Sequence, residues 1–450
     1  MYCFNNIKMD LTLIKMIESL DLKENEKYLS MIFYNKLVIN YLYSCKKEAC
    51  YKDMFITKSI KNVSSSVFGD IKTVYTCINE LERKGLIARG TSYIVGEYSK
   101  GFKPLVIPTG KFITVHAKDY LNKRQIENLR KRLIKKIDKG VEWHLLNLIK
   151  NVELDYNRLR KLVKTNYNVD LVGDDKQSII DQVMELGTDE SFIREHLKEL
   201  GYKRIRKDRI EQEIHKRTFL KMKILELLEI EKTGIVKGEK GGRHFHTLSN
   251  APRELRYCVV SKDTKRPHLM QVDIKNSQPF FLLCLFFQHG IRVERGLELG
   301  IIGGKFYEEI GNCWGYNPYS VSNNHDIRQE VKRKVYSNIL FADEHVRATS
   351  EYFQKVKDRY PLFAKAIESL TETGATLASL LQRLEADEVL PIVKKFHGIG
   401  LHDAVITIAV DEVESTEKVV HEIIKRFKEK FNLTPSLSID KISERSDIEK

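Results

Sequence analysis

Asp273 closes an apolar, strand-like run, His268-Leu-Met-Gln-Val-Asp-Ile-Lys-Asn-Ser-Gln-Pro279. Asp403 interrupts a hydrophobic hairpin pattern, Gly398-Ile-Gly-Leu-His-Asp-Ala-Val-Ile-Thr-Ile-Ala-Val410. Between them, Arg328-Gln-Glu-Val-Lys332 sets two cations at helical spacing. Two carboxylates on neighbouring strands, faced by a basic helix, are what two-metal phosphoryl transfer requires. In that chemistry one Mg²⁺ activates a hydroxyl and a second, roughly 3.5–4 Å away, holds the triphosphate and leaving group. Mg²⁺ takes few carboxylates and completes its shell with water and phosphate oxygens. Asp273, Asp403 and a backbone carbonyl such as that of Ile274 would therefore suffice, with Mn²⁺ as an alternative ion. Either aspartate alone reads equally well as a strand end or a turn residue.

Phosphoryl transfer also needs cations to offset the charge that develops on the moving phosphate. Arg328 and Lys332 share one helix face. Tyr336 continues that face and would stack on an incoming base or sugar, whereas Arg333 and Lys334 point elsewhere, towards template phosphates. The competing reading is a solvated helix of alternating charge, because Asp326 and Glu330 lie in the same stretch.

The elements that must position these residues sit in a chain of 450 residues, long enough for roughly three domains. Hydrophobic residues make up 42% and charged residues 31%, an ordinary globular balance. A formal net charge of +14 suits a polyanionic partner such as nucleic acid, or simple solubility. The 7 cysteines show no Cys-x-x-Cys spacing, which argues against a disulfide framework or zinc ribbon and for a reducing compartment. Phe280–Phe287 is the longest apolar run, far below the ~20 residues of a membrane span. Met1–Asp10 lacks a charged-then-apolar leader. A cytoplasmic protein with no membrane partner is expected.

Residues 1–110 read as a small α/β unit. Asp70 to Lys84 carries Ile71, Val74, Tyr75, Ile78 and Leu81 at helical spacing, behind the capping-type run Ser64–Asp70. Gly85 stops that helix, and two short strands follow around a turn between Leu86 and Tyr98. Helix, glycine, hairpin is the order of a winged helix, which serves either DNA or protein docking. Pro104, Pro108 and Gly110 mark a boundary, and Ala117 to about Ile230 is helical. Basic clusters fall at Lys123–Lys136 and Lys203–Arg209. Such runs are commonly solvated faces, or here a track for phosphate backbone. Thr188-Asp-Glu-Ser has the form of a helix start. The glycine-rich stretch Gly234–Arg243 lacks the spacing of a P-loop. Residues 268–287 read as a buried strand entering an apolar helix, and 288–372 as helical with a loop at 317–324. The last part, 373–450, reads helix, hairpin, helix and a final strand, Ser436–Asp440.

The stretch 240–442 resembles the palm and fingers of family A DNA polymerases and the related single-subunit phage and mitochondrial RNA polymerases. Asp273 stands where motif A has its metal aspartate. His402-Asp403 is similar to motif C, and Arg328, Lys332 and Tyr336 to motif B. Gly242-Arg243 resembles the Thr-Gly-Arg element that contacts primer-template. Gln382-Arg-Leu-Glu-Ala-Asp387 resembles a Gln-Gly-x-Ala-Ala-Asp element that places Gln382 near the primer terminus. The five elements occur in family order.

The resemblance implies an α+β right-hand polymerase: a palm with an antiparallel sheet, helical fingers and a thumb-like region, joined to the N-terminal winged helix. The expected blocks are a winged-helix domain at 1–112, a basic thumb-like region at 113–232, palm at 233–292, fingers at 293–372 and palm again at 373–450. It further implies two Mg²⁺ ions on Asp273, Asp403 and the Ile274 carbonyl, with Arg328 and Lys332 on the triphosphate. Tyr336, Gln278 and Ser277 would meet the nucleotide, and Arg243, Gln382 and His402 the nucleic acid. The partners would be a DNA template, a DNA or RNA primer and nucleoside triphosphates, together with replication-initiation partners.

The chain departs from the family at several places. Gln278 replaces the glutamate that excludes ribose in the DNA polymerases, and the Asp273/Ser277 spacing is closer to the RNA polymerase form. Leu340 and Phe341 stand where motif B has an aromatic residue and a glycine. Ala404 replaces a third carboxylate after His-Asp, and the N-terminal half shows no acidic cluster for a 3′–5′ exonuclease. Three readings stay open: a DNA polymerase of a plasmid, phage or other mobile element, an RNA-synthesising primase or small RNA polymerase, and a non-catalytic DNA-binding initiator or regulator.

Overall fold

The computed structural model describes residues 6–47, 56–57, 70–90, 101–134, 141–230, 236–237, 241–262, 269–371, 376–408 and 412–442. The chain is a mixture of many helices and several small sheets, and it divides into two compact units. One comprises Met1–Lys139, Leu154–Val236 and His246–Val259. The other comprises Gly140–Glu153, Lys237–Phe245 and Val260–Lys450.

In the first unit, Asn6–Asp10 pairs antiparallel with Phe112–His116. The helix Ile71–Arg83 is capped by Asp70, whose carboxylate accepts from the Thr73 amide at 2.8 Å. Its buried stripe is Val74, Cys77, Ile78 and Leu81. Ile71 and Tyr75, expected on that stripe, are instead exposed. At 3.6 residues per turn, positions 74, 77, 78 and 81 form one face, while 71 and 75 fall on its flank. Gly85, with φ +67, ends the helix. The strand Ile87–Arg89 pairs with Gly101–Pro104. The second strand read from Ser92–Tyr98, and the capping run Ser64–Gly69, lie outside the described residues.

The helical expectation for 117–230 fits the described helices Lys123–Ile134, Tyr156–Tyr167, Lys176–Glu185, Glu190–Glu199 and Lys207–Leu228 in this unit. Asp189 caps the fourth of them, as the sequence suggests. Lys203, Arg204 and Arg206, between the last two, and Lys207, at the start of the last, are exposed. The last helix also buries Lys221, whose ammonium donates to the carbonyls of Gly110 (2.9 Å) and Met184 (3.0 Å). Burial pushes that lysine down to about 8.

The second unit carries the motifs. Its first elements are α1 (Glu142–Asn151) and the short β1 (His244–Phe245). Next come β2 (Leu269–Ile274) and α2 (Ser277–Gln288), linked by a turn in which Asn276 has φ +50. Helices α3 (Phe306–Cys313), α4 (His325–Val335) and α5 (Leu377–Lys395) follow. The hairpin β3 (Ile399–Leu401) and β4 (Ala404–Ile408), then α6 (Glu412–Phe431) and β5 (Leu437–Lys441), complete it. The strand order is β3-β4-β2-β5, all neighbours antiparallel.

Helix α2 is apolar all round and buried all round, as a helix without a polar face must be. Phe280 meets Phe427 of α6 at 5.3 Å between ring centroids, and Phe286 meets Phe363 at 5.9 Å. Each such side chain contributes about 1.5–3 kcal/mol of transfer free energy, so α2 anchors the strand end that carries Asp273. The segment 317–324, expected as a loop, is instead the short helix Pro318–Asn323, capped by Asn317; Asn324 then caps α4. Asparagine caps and a proline in the first turn read as loop composition, yet both also start helices. The final strand runs one residue later than expected, at Leu437–Lys441.

Gly398 sits where a Cβ would come within 2.6 Å of the Ile406 carbonyl oxygen in the facing strand. Gly398→Ala is expected to force the β3–β4 hairpin apart and destabilise this unit by about 1–3 kcal/mol. Both tryptophans, Trp143 and Trp314, lie in this unit, so denaturant unfolding followed by tryptophan fluorescence reads the change. An unaltered midpoint would contradict the packing described.

Candidate active site

The site is built on the register of β2. Asp273 lies opposite Ala404 on one side and Ser438 on the other. Leu401 pairs with Ala404, so His402 and Asp403 form a two-residue turn, with His402 in left-handed backbone at φ +57. Asp403 therefore immediately precedes the residue paired with Asp273, and both aspartates stand at one end of the sheet, each partly exposed. Ile274 is the last residue of β2, Ser277 the first of α2, and Gln278 follows it; all three are buried. The His402 and Phe245 rings, the latter on β1, meet edge to face with centroids 5.5 Å apart. Among the described residues no three His, Cys, Asp or Glu side chains group as metal ligands.

Helix α4 presents Arg328 and Lys332 to a seat made by Tyr307 and Glu308 of α3. The Arg328 guanidinium pairs with the Glu308 carboxylate, reaches the Asn276 side-chain oxygen at 3.4 Å and lies 5.4 Å from the Tyr307 ring centroid. The Lys332 ammonium lies 5.8 Å from the ring centroids of both Tyr307 and Tyr336. Among the described residues it meets no carboxylate. Helix α4 then passes into a π-helical turn, Tyr336–Leu340, a form that recurs at functional sites. That turn brings the Tyr336 hydroxyl to 3.5 Å from the Tyr307 hydroxyl and its ring against Phe341 at 4.8 Å. Burial raises the ionisation of both tyrosine hydroxyls above the usual range, and the Asp403 charge adds to it. Lys334 pairs with Glu330 (2.9 Å) and donates to the Tyr316 hydroxyl (2.7 Å).

The Gly-Gly-Arg element docks on one face of α5. A Cβ on Gly241 would meet that of Gln382 at 2.5 Å, Gly242 has φ +68 beside Ala386, and Arg243 pairs with Glu385. The same carboxylate accepts from the Gln278 amide nitrogen at 2.7 Å. Glu385 thus joins three segments, those of Arg243, Gln278 and α5, although its own place in the sequence suggests no such role. Its carboxyl is fully buried and pushed up to about 7, chiefly by burial and then by the Asp403 charge, against the pull of Arg243. Its second oxygen, the Gln278 side-chain oxygen and the Arg243 Nε are buried without hydrogen-bond partners.

A second connection also escapes the sequence. His144 of α1 bonds His244 ring to ring, Nδ1 to Nδ1 at 3.0 Å, and its Nε2 accepts from the Gly400 amide at 2.9 Å. An Nε2 that accepts must be unprotonated, so the proton of a neutral His144 sits on Nδ1 and points to His244. Residues 243–245 consequently meet α5, the His144 ring and the His402 ring in succession. Nothing in the local sequence marks this pair, because its members are far apart in the chain.

No protein-family model matches the chain, and no curated protein does. Among solved structures, the POL domain of Pol1 from M. smegmatis, in complex with DNA primer-template and dNTP, is similar over 71% of this chain and 73% of its own, at 12% identity and a TM-score of 0.43. No described helix is long and apolar enough to cross a membrane.

The Glu385 carboxyl gives a pH signature. The folded chain holds a proton that the unfolded chain releases between about 4.5 and 7. The stability it contributes is full below pH 4.5 and is lost as pH rises through about 7. Glu385→Gln is neutral throughout, so over that window the variant should gain on the wild type by on the order of 3 kcal/mol. Unfolding free energies of the two proteins at several pH values test this, and a difference independent of pH would contradict it.

Proposed function

We propose that this chain is a template-directed nucleotidyltransferase that extends a nucleic acid strand by phosphoryl transfer from nucleoside triphosphates. The observation that carries the reading is the placement of Asp273 and Asp403 at one end of one sheet, within the field of a helix whose Lys332 has no carboxylate partner among the described residues. An oxygen-only donor set of two aspartates and a strand-end carbonyl fits Mg²⁺ or Mn²⁺ and suits no softer metal. Asp273, Asp403 and the Ile274 carbonyl would hold two such ions, which when bound would activate the attacking hydroxyl and offset charge on the leaving group.

The chain's own side chains supply the rest. Lys332, held between two aromatic faces, offers an uncompensated positive charge to the triphosphate, and Arg328 a planar fork for two of its oxygens. Tyr336 gives a flat face for the base or sugar. Gln278 and Arg243, fixed together on Glu385, form the wall beside Asp403, with Gln382 on the same face of α5. His402 shapes the turn that aims Asp403. In the other unit, the exposed Lys203, Arg204, Arg206 and Lys207 suit contact with phosphate backbone, which would weaken steeply with salt.

Asp273→Asn and Asp403→Asn should each reduce Mg²⁺-dependent nucleotide incorporation by roughly a thousandfold or more, with thermal midpoints and nucleic-acid affinity nearly unchanged. Primed and unprimed templates offered with dNTPs or rNTPs read this directly and establish which sugar and which primer are used. Incorporation that survives either substitution would sink the assignment. Lys332→Met should raise the KM for triphosphate by roughly tenfold or more, and an unchanged KM would remove lysine from the phosphate site.

A further inference from the structure

Glu308 is unused in the reading above, yet it decides what Arg328 does. Its side chain is only 10% exposed, it pairs with the Arg328 guanidinium, and it accepts from the Ser322 hydroxyl at 3.0 Å. Its other oxygen is buried with no hydrogen-bond partner. Tyr307 and Glu308, adjacent on α3, thus seat both cations of α4 but treat them differently. Arg328 has its charge compensated by a carboxylate. Lys332 lies over the Tyr307 and Tyr336 rings and meets no carboxylate among the described residues.

Glu308 takes the Arg328 guanidinium through one carboxylate oxygen, and a phosphate oxygen, equally anionic, would compete for the same N–H donors. We propose that Glu308 is a positioning residue that stands in for phosphate: it holds Arg328 in its phosphate-binding posture and yields it to a triphosphate. Ligands with too little charge to displace Glu308 bind through Lys332 alone. Discrimination between a triphosphate and a single phosphate then comes from a built-in competitor as well as from added contacts, which is how a difference of affinities is sharpened. The ligand class rests on the function proposed above, but the contact itself does not.

Calorimetric titration of the full chain with inorganic triphosphate, and separately with orthophosphate, tests this without any turnover. Glu308→Gln keeps the volume and the acceptor for Ser322 and Arg328 but removes the charge. It should bind triphosphate roughly five- to tenfold more tightly than the wild type, with orthophosphate little changed. In the double variant with Arg328→Gln the gain should vanish, because it acts through the arginine. If the glutamine variant does not fold, Glu308→Asp, which keeps the charge but shortens the reach, should give a smaller gain of the same sign. Equal or weaker binding by the variant overturns the inference, as does a gain that persists without Arg328, or no triphosphate binding by either protein. A mere orienting role for Glu308 predicts weaker binding. A chain that shows the expected pattern but adds no nucleotide would refute the proposed function and leave this inference standing. Nucleotide addition with unchanged triphosphate affinity in the variant would do the reverse.

Discussion

The antiparallel pairing of Asp273 with Ala404 sets where every other part of the site must stand. Side chains alternate across a strand, so a slip of one residue would turn Asp273 to the opposite face. The two-residue turn before Ala404 leaves no slack either: Asp403 is aimed by the hairpin or not at all. Much of the second unit can be understood as holding that register. Helix α2 buries its whole circumference just after Asp273, Gly398 allows the facing strand to approach closely, and His144 binds the Gly400 amide from behind. The left-handed backbone of His402 is strained for a non-glycine residue and persists because its surroundings over-determine it.

Charge around this frame is organised more tightly than a net value of +14 suggests. Arg328 and Arg243 are each paired with a buried glutamate, Glu308 and Glu385, and Lys334 with Glu330. A buried ion pair contributes little net stability, since desolvation offsets most of its attraction. What it does supply is orientation, and here it fixes both guanidinium groups, whereas Lys332 has no carboxylate partner among the described residues. Two guanidinium groups of the site are thus held in fixed postures by buried carboxylates.

The parts legible in the sequence are those written at short range. The period of α4 put Arg328 and Lys332 on one face, the apolar run gave β2 and α2, and the Leu-His-Asp-Ala pattern gave a hairpin with its turn in the right place. Local signals failed where tertiary context decides. Ile71 and Tyr75 fit a helical stripe but lie outside the buried one. Segment 317–324 looks like a loop because asparagine and proline serve turns and helix starts alike. Tyr307, Glu308, Glu385, His144 and His244 could not be singled out, because each gains its role only from a partner distant in sequence. Glu385 came nearest: it lies within the Gln382–Asp387 element, but nothing in that string says that its carboxylate gathers Arg243 and Gln278.

The central claim is that Asp273 and Asp403 together hold the ions of phosphoryl transfer. Its most direct test is Mn²⁺ binding followed by electron paramagnetic resonance, with a non-hydrolysable nucleoside triphosphate present. The account predicts two ions bound per chain, the pair lost on Asp403→Asn while the protein keeps its fold. Unchanged Mn²⁺ stoichiometry and affinity in that variant would contradict it.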